Sequence, residues 1–305
     1  MKTFEHAQAY IHRHARPLDL ARFRFHFEGG SREDVLRELA YYQNADGGFG
    51  HALEADSWNP ASTPIQTWTA TEILHEIGCT DASHPIIAGI LRYLASGADF
   101  NGHFWSMVTL ANNDHPHAPW WTVDEAGLFG DDYNPTACLA GFIVRFAEKG
   151  SALHRLGLRI AGEACDQLMA HKRQNDMHTL LCYLRMCEYL REAGEALLPV
   201  DAMLDMLRDD IGRSIDENTE LWTESYACRP SQFFQSGKEP LLADFRALAA
   251  CECAVIESSQ LPDGSWNIPW DWGAYPKEWA LSECWWKADG IIRYLRFLRN
   301  VGGVL

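Results

Sequence analysis

The sequence contains no run of about 18 or more apolar residues, so no membrane-spanning helix is expected. The stretch Met1 to Pro17 carries His6, His12, Arg13, His14 and Arg16 without an apolar core, which does not read as a secretory signal. Basic residues are scarce: 26 Lys and Arg stand against 42 Asp and Glu, a formal net charge of -16. A chain this acidic is not built to hold a nucleic-acid backbone or an anionic membrane as its main partner. There is no Cys-x-x-Cys among the nine cysteines, and only Cys251-x-Cys253 is closely spaced, too short for a zinc knuckle. Cys138, Cys182, Cys187 and Cys284 fall in apolar helical stretches, which suits reduced thiols and a cytoplasmic location. No Gly-x-Gly-x-x-Gly, Walker loop, His-Glu-x-x-His or Gly-x-Ser-x-Gly occurs, so nucleotide, zincin and serine-hydrolase readings lose their main support.

Strand signals are nearly absent as well, with no sustained alternation and no Asn-Gly hairpin between β-branched runs. What is present is helical periodicity. Leu281, Cys284, Trp285, Ala288, Ile291, Ile292, Leu295 and Leu298 recur at three and four, and Arg293, Arg296 and Arg299 lie towards the helix end whose dipole favours cations. Further helices are expected over 2–15, 32–43, 62–77, 84–95, 135–149, 153–171, 177–193, 198–214 and 241–259, an all-α chain of about ten to twelve helices. No low-complexity linker divides it, so residues 1–305 read as one domain. Phe100 to Tyr133 and Ile215 to Lys238 fit no helix, and loops this long usually carry function.

One spacing occurs twice. Gln43-Asn-Ala-Asp46-Gly47-Gly-Phe49 and Gln260-Leu-Pro-Asp263-Gly264-Ser-Trp266 agree in their turn residues, and the agreement extends into the next helix. Counting from the Gln, both copies have an acid at +11 (Glu54, Asp271), Trp at +25 (Trp68, Trp285) and an acid at +29 (Glu72, Asp289). A weaker copy is Asn101-Gly102-His103-Phe104. Asp-Gly makes a tight turn, the aromatic plugs the space between helix ends, and the Gln can bond exposed backbone groups.

This spacing resembles the QW-type repeat of the terpenoid cyclase and protein prenyltransferase superfamily, over residues 34–79 and 250–298. The resemblance implies an α/α toroid, a closed double ring of helices around a central cavity that takes a hydrophobic small molecule. In that superfamily the repeat turns are structural, so Gln43, Asp46, Gln260 and Asp263 are not expected to be catalytic. The familiar catalytic motifs are missing: there is no D-x-D-D, no D-D-x-x-D and no Asp-x-Cys. The nearest acidic pairs are Asp131-Asp132 and Asp209-Asp210.

Candidate site residues come from the loops. Glu54, Asp56 and Asp271 come after the two turns and are candidate acids, with His51 a possible partner. Asp114, His115, His117, Trp120 and Trp121 form the densest polar and aromatic run. A His-x-His with Asp has metal-donor types, but further ligands cannot be named, so the run is read as ligand-facing with no metal assigned. No cofactor is assigned either. Trp270 and Trp272, loop members of a tryptophan-rich stretch, and Tyr226 are further ligand-facing candidates; Trp266 is expected to be the plug, and Trp68 and Trp285 core. Aromatic walls suit carbocations and also sugar rings. Three readings therefore stand: an enzyme of isoprenoid chemistry, a carbohydrate-active toroid with two carboxyls across a groove, and a binding scaffold.

Overall fold

The computed structural model describes residues 2–170 and 176–303. Among these residues every regular element is a helix, and β-pairing is limited to isolated bridges such as Gln43 with Phe49 and Ser57 with His117. No helix among them is long and apolar enough to cross a membrane. The all-α expectation holds. The chain divides into two compact units, one of residues Tyr42–Gly212 and one joining the stretch up to Tyr41 with the stretch from Arg213 onward.

The terminal unit contains α1 (Lys2–His14), α2 (Pro17–Phe27), α3 (Arg32–Ala40), α10 (Leu221–Glu224), α11 (Arg246–Ser258) and α12 (Pro276–Phe297). α12 packs on α1 and α2. Phe4, Phe23 and Phe27 fill the angle between α1 and α2, with ring centroids 5.1 to 6.0 Å apart. Ser31 starts α3 with a capping box: its hydroxyl accepts the Asp34 N–H while the Asp34 carboxylate reaches back to the Ser31 backbone. α2 was not expected from the sequence. Phe23, Phe25 and Phe27 alternate at a period of two, and the buried face of the helix includes the charged Asp19 and Arg22, which hides the helical stripe.

The central unit contains α4 (Pro64–Glu76), α5 (Pro85–Ser96), α6 (Thr136–Phe146), α7 (Ala152–Met169), α8 (Met177–Glu192) and α9, which runs from Val200 to Ser214. α6 is its core helix, buried at every position except Arg145 and packed between α7 and α8. Two glycines permit that approach. A Cβ on Gly141 would stand 2.9 Å from the Met186 Cα, and one on Gly157 would stand 2.6 Å from the Ile143 side chain. Thr63 and Ser151 cap α4 and α7 through their hydroxyls. The long loop before α6 folds on itself around two short 3₁₀ turns, Leu110–Asp114 and Pro119–Trp121.

Candidate functional site

The two Asp-Gly turns are built alike. Gln43 Nε2 donates to the Gly47 carbonyl at 2.9 Å and to the Ile86 carbonyl at 3.0 Å, in the first turn of α5. Gln260 Nε2 donates to the Gly264 carbonyl at 3.0 Å and to the Thr3 carbonyl at 2.8 Å, in the first turn of α1. Gly47 and Gly264 have φ of 99° and 93°, and a Cβ on either would overlap a helix carbonyl, of Gly89 or His6. Asp46 Oδ1 and Asp263 Oδ1 each accept the N–H two residues on, at 2.9 Å. Phe49 and Trp266 are buried. The weaker copy keeps the same turn with Asn101, whose Oδ1 accepts the His103 N–H at 2.9 Å, and Arg159 donates to the Gly102 carbonyl. These residues hold helix ends together.

In the central unit most of the candidates from the sequence come together where the loop after the first turn zips to the loop before α6. Trp58 N–H donates to the Pro116 carbonyl and Ala118 N–H to the Asp56 carbonyl. Ser57 Oγ donates to Asn112 Oδ1, whose own Nδ2 donates to the Trp121 carbonyl. Glu54 Oε2 accepts the Asp56 N–H at 3.0 Å and the Trp121 indole N–H at 3.2 Å, which ties the carboxylate to its own loops. Asp56 is buried. His117 is held at both nitrogens: Nδ1 donates to the His115 carbonyl at 2.6 Å, and Nε2 accepts from the Thr122 hydroxyl at 2.9 Å. Asp114 and Trp120 are exposed, and His115 is half-buried. His51 is exposed and bonds Asn44; it and Ala52 both have φ of 60°, a strained pair held by backbone bonds on either side. Among the described residues no three His, Cys, Asp or Glu side chains are grouped to hold a metal. The chemistry of this zipper is that of a rigid double loop.

The remaining candidates are in the terminal unit. Asp271 is exposed and accepts the Gly273 N–H at 2.6 Å. Trp272 is 1% exposed and packs against Trp279, ring centroids 5.6 Å apart. Trp270 meets two rings edge to face, Tyr226 at 5.2 Å and Trp286 at 5.4 Å. From Trp286 the aromatic group continues into a charged stripe along α12. Trp285, Trp286, Asp289, Gly290 and Arg293 share one half-buried helix face. Arg16 lies 5.3 Å over the Trp285 ring. Asp19 accepts from Arg16 at 2.7 Å and from Arg22 at 3.1 Å. Asp289 accepts from Arg22 at 2.8 Å and faces Arg293 at 4.0 Å, while Arg293 also donates to Gln232 at 2.6 Å. Three guanidiniums are thus gathered in one linked set with Asp19 and Asp289, in a chain of net charge -16. A Cβ on Gly290 would meet nothing within 4 Å, so open space lies beside the stripe.

Sequence reasoning missed the arginines of this face and took Trp285 for core. Asp289 was visible as the +29 acid of the repeat. In the central unit its counterpart Glu72 is likewise held by an arginine, Arg185 Nε at 3.0 Å, with Trp68 half-buried one turn before it. The arginines that hold Asp289 and Glu72 most closely, Arg22 and Arg185, come from other helices, and no local spacing announces them.

No family model matches the chain, and neither a curated protein nor a solved structure matches it.

Proposed function

We propose that the protein handles an amphiphilic anion of the prenyl diphosphate class on the α12 face, as an isoprenoid enzyme resembling the terpenoid cyclases and prenyltransferases. The observation that carries the reading is the continuity of two chemistries against one helix face: Arg16, Arg22 and Arg293 around Asp19 and Asp289, and Trp285, Trp286, Trp270 and Tyr226 beside them. An acidic protein needs guanidiniums gathered in one place to hold a diphosphate. Indole walls suit both the prenyl chain and any positive charge that develops on it when the diphosphate leaves. The space beside Gly290 gives the chain room. The proposed recognition does not run through Glu54 or Asp271, whose carboxylates bond their own loops.

Isothermal titration of the full chain with farnesyl diphosphate tests the reading, with inorganic diphosphate, farnesol and maltohexaose as comparisons. Farnesyl diphosphate is expected to bind most tightly, and Arg293→Ala is expected to weaken it about tenfold or more, the worth of one charge-assisted contact. Binding of maltohexaose alone would overturn the reading in favour of a carbohydrate-active protein. Binding of none of the four would leave the scaffold reading.

A further inference from the structure

Trp270 carries a buried polar atom for which the fold provides no partner. Its indole Nε1 is shielded from solvent and makes no hydrogen bond among the described residues. An indole N–H is a donor only, and burying one unpaired costs free energy that a folded protein normally avoids. Two tryptophans of the terminal unit show what avoidance looks like: Trp266 Nε1 donates to the Ile256 carbonyl at 2.8 Å, and Trp222 Nε1 donates to the Asp216 carbonyl at 2.9 Å; Trp68 and Trp105 of the central unit share the unpaired state, without a guanidinium face described beside them. Trp270 is also not loosely held. Tyr226 and Trp286 meet its ring at 84° and 81°, so the indole is packed by rings on two sides. The Tyr226 ring over it is 50% exposed, so a ligand that displaces this exposed ring reaches the N–H and supplies the acceptor that the fold does not, beside the half-buried aromatic and guanidinium face.

We infer that Trp270 is a specificity-determining residue whose indole N–H donates to an oxygen of the bound ligand, so that the ligand must present a hydrogen-bond acceptor within its aromatic wall. The inference rests on the proposed α12-face reading. It narrows the ligand class: a plain hydrocarbon satisfies the rings but leaves the N–H unpaired, whereas a phosphate ester satisfies both. The ring supplies contact area and the N–H supplies discrimination, since a site built around a polar contact rejects analogues that lack it.

The decisive experiment replaces Trp270 with β-(3-benzothienyl)alanine, which keeps the bicyclic shape and exchanges the N–H for sulfur, alongside Trp270→Phe. Affinities for farnesyl diphosphate and for farnesene are measured by titration on the full chain, with thermal unfolding in parallel. The benzothienyl protein is expected to keep the wild-type melting temperature and farnesene affinity and to bind farnesyl diphosphate about tenfold more weakly. Equal affinity of the wild-type and benzothienyl proteins for farnesyl diphosphate would overturn the inference alone. Absence of farnesyl diphosphate binding to the wild-type protein would remove the proposed function and the inference with it. A fall in the melting temperature of the benzothienyl protein would show that the N–H has a partner within the fold, and would overturn the inference even with binding intact.

Discussion

Gln260 makes the same pair of bonds as Gln43: each side-chain amide donates to the glycine carbonyl of its own turn and to a carbonyl in the first turn of the next helix against it, Thr3 for Gln260 and Ile86 for Gln43. Two spans of one chain therefore solve the same problem with the same residues. The second bond matters more for the terminal unit, because it ties α1 to a residue 257 positions later in sequence.

Gln260→Ala is expected to destabilise the protein by about 1–3 kcal/mol, since two part-buried carbonyls lose their donor. Denaturant unfolding monitored by tryptophan fluorescence measures this. A change within about 0.5 kcal/mol, the ordinary range for a surface substitution, would show that the turn holds without its amide.

Two glycines provide opposite tests of one idea. Gly264 has φ 93° and a Cβ there would overlap the His6 carbonyl. Gly264→Ala is therefore expected to cost more than about 2 kcal/mol, from backbone strain and overlap together. Gly290 has ordinary helical geometry and open space where a Cβ would go. Gly290→Ala is expected to stabilise the protein by about 0.5–1 kcal/mol through helix propensity. Paired melting curves check both. Loss of stability in the Gly290 variant would mean that its backbone is tuned to something other than open space.

Asp263 gives a pH prediction. Burial raises its pKa, but the Ser265 hydroxyl and backbone N–H outweigh burial and hold it below the ordinary 3.8. A carboxylate with a depressed folded-state pKa adds stability above its unfolded pKa and loses it as pH falls through the folded value. Asp263→Asn keeps the turn, as Asn101 does in the weaker copy, but not the ionisation. Wild-type stability is therefore expected to fall faster than that of Asp263→Asn as pH drops below about 4. Urea midpoints on a pH series measure the difference, and parallel curves would refute it.

Thiol reactivity is the fourth test. All nine cysteines are free. Cys138, Cys182 and Cys187 are buried, and burial raises each thiol's pKa, that of Cys187 to about 12. Cys251 is exposed. Titration with an aromatic disulfide at neutral pH is expected to modify Cys251 fast and to reach the three buried thiols only on unfolding. Cys228 and Cys284 are part-exposed, so fast reaction of more than two thiols in the Cys251→Ser variant would contradict the burial.

Periodicity was enough to read the helices because most have one buried stripe, and α12 shows it plainly in Ala288, Ile291, Ile292 and Leu295. It failed for α2, where Asp19 and Arg22 are buried because each has an ionic partner. Burial of a charge depends on what meets it, and Asp289 meets Arg22 across 267 residues of sequence. The same limit applies to the site. Spacing located Trp68, Glu72, Trp285 and Asp289, since a repeat keeps equivalent positions in register. It could not show that Trp272 turns into the core beside Trp279 while Trp270 remains half-buried, two residues away in the same loop. Adjacent loop residues diverge through backbone turns that side-chain type does not encode.

The space beside Gly290 yields the last prediction. Gly290→Leu places a branched side chain between Asp289 and the following turn of the face that carries Arg293, where a Cβ meets nothing. A helix accepts Leu better than Gly, so the folded state should not suffer. A ligand whose chain occupies that space would meet the new side chain directly, and its affinity is expected to fall by more than about tenfold, since overpacking costs about 1–3 kcal/mol. Inorganic diphosphate, which has no chain, should bind Gly290→Leu as it binds the wild type. The contrast between the two ligands separates occlusion of the chain from damage to the arginines. Loss of both together would place the ligand's charged end, rather than its chain, at Gly290.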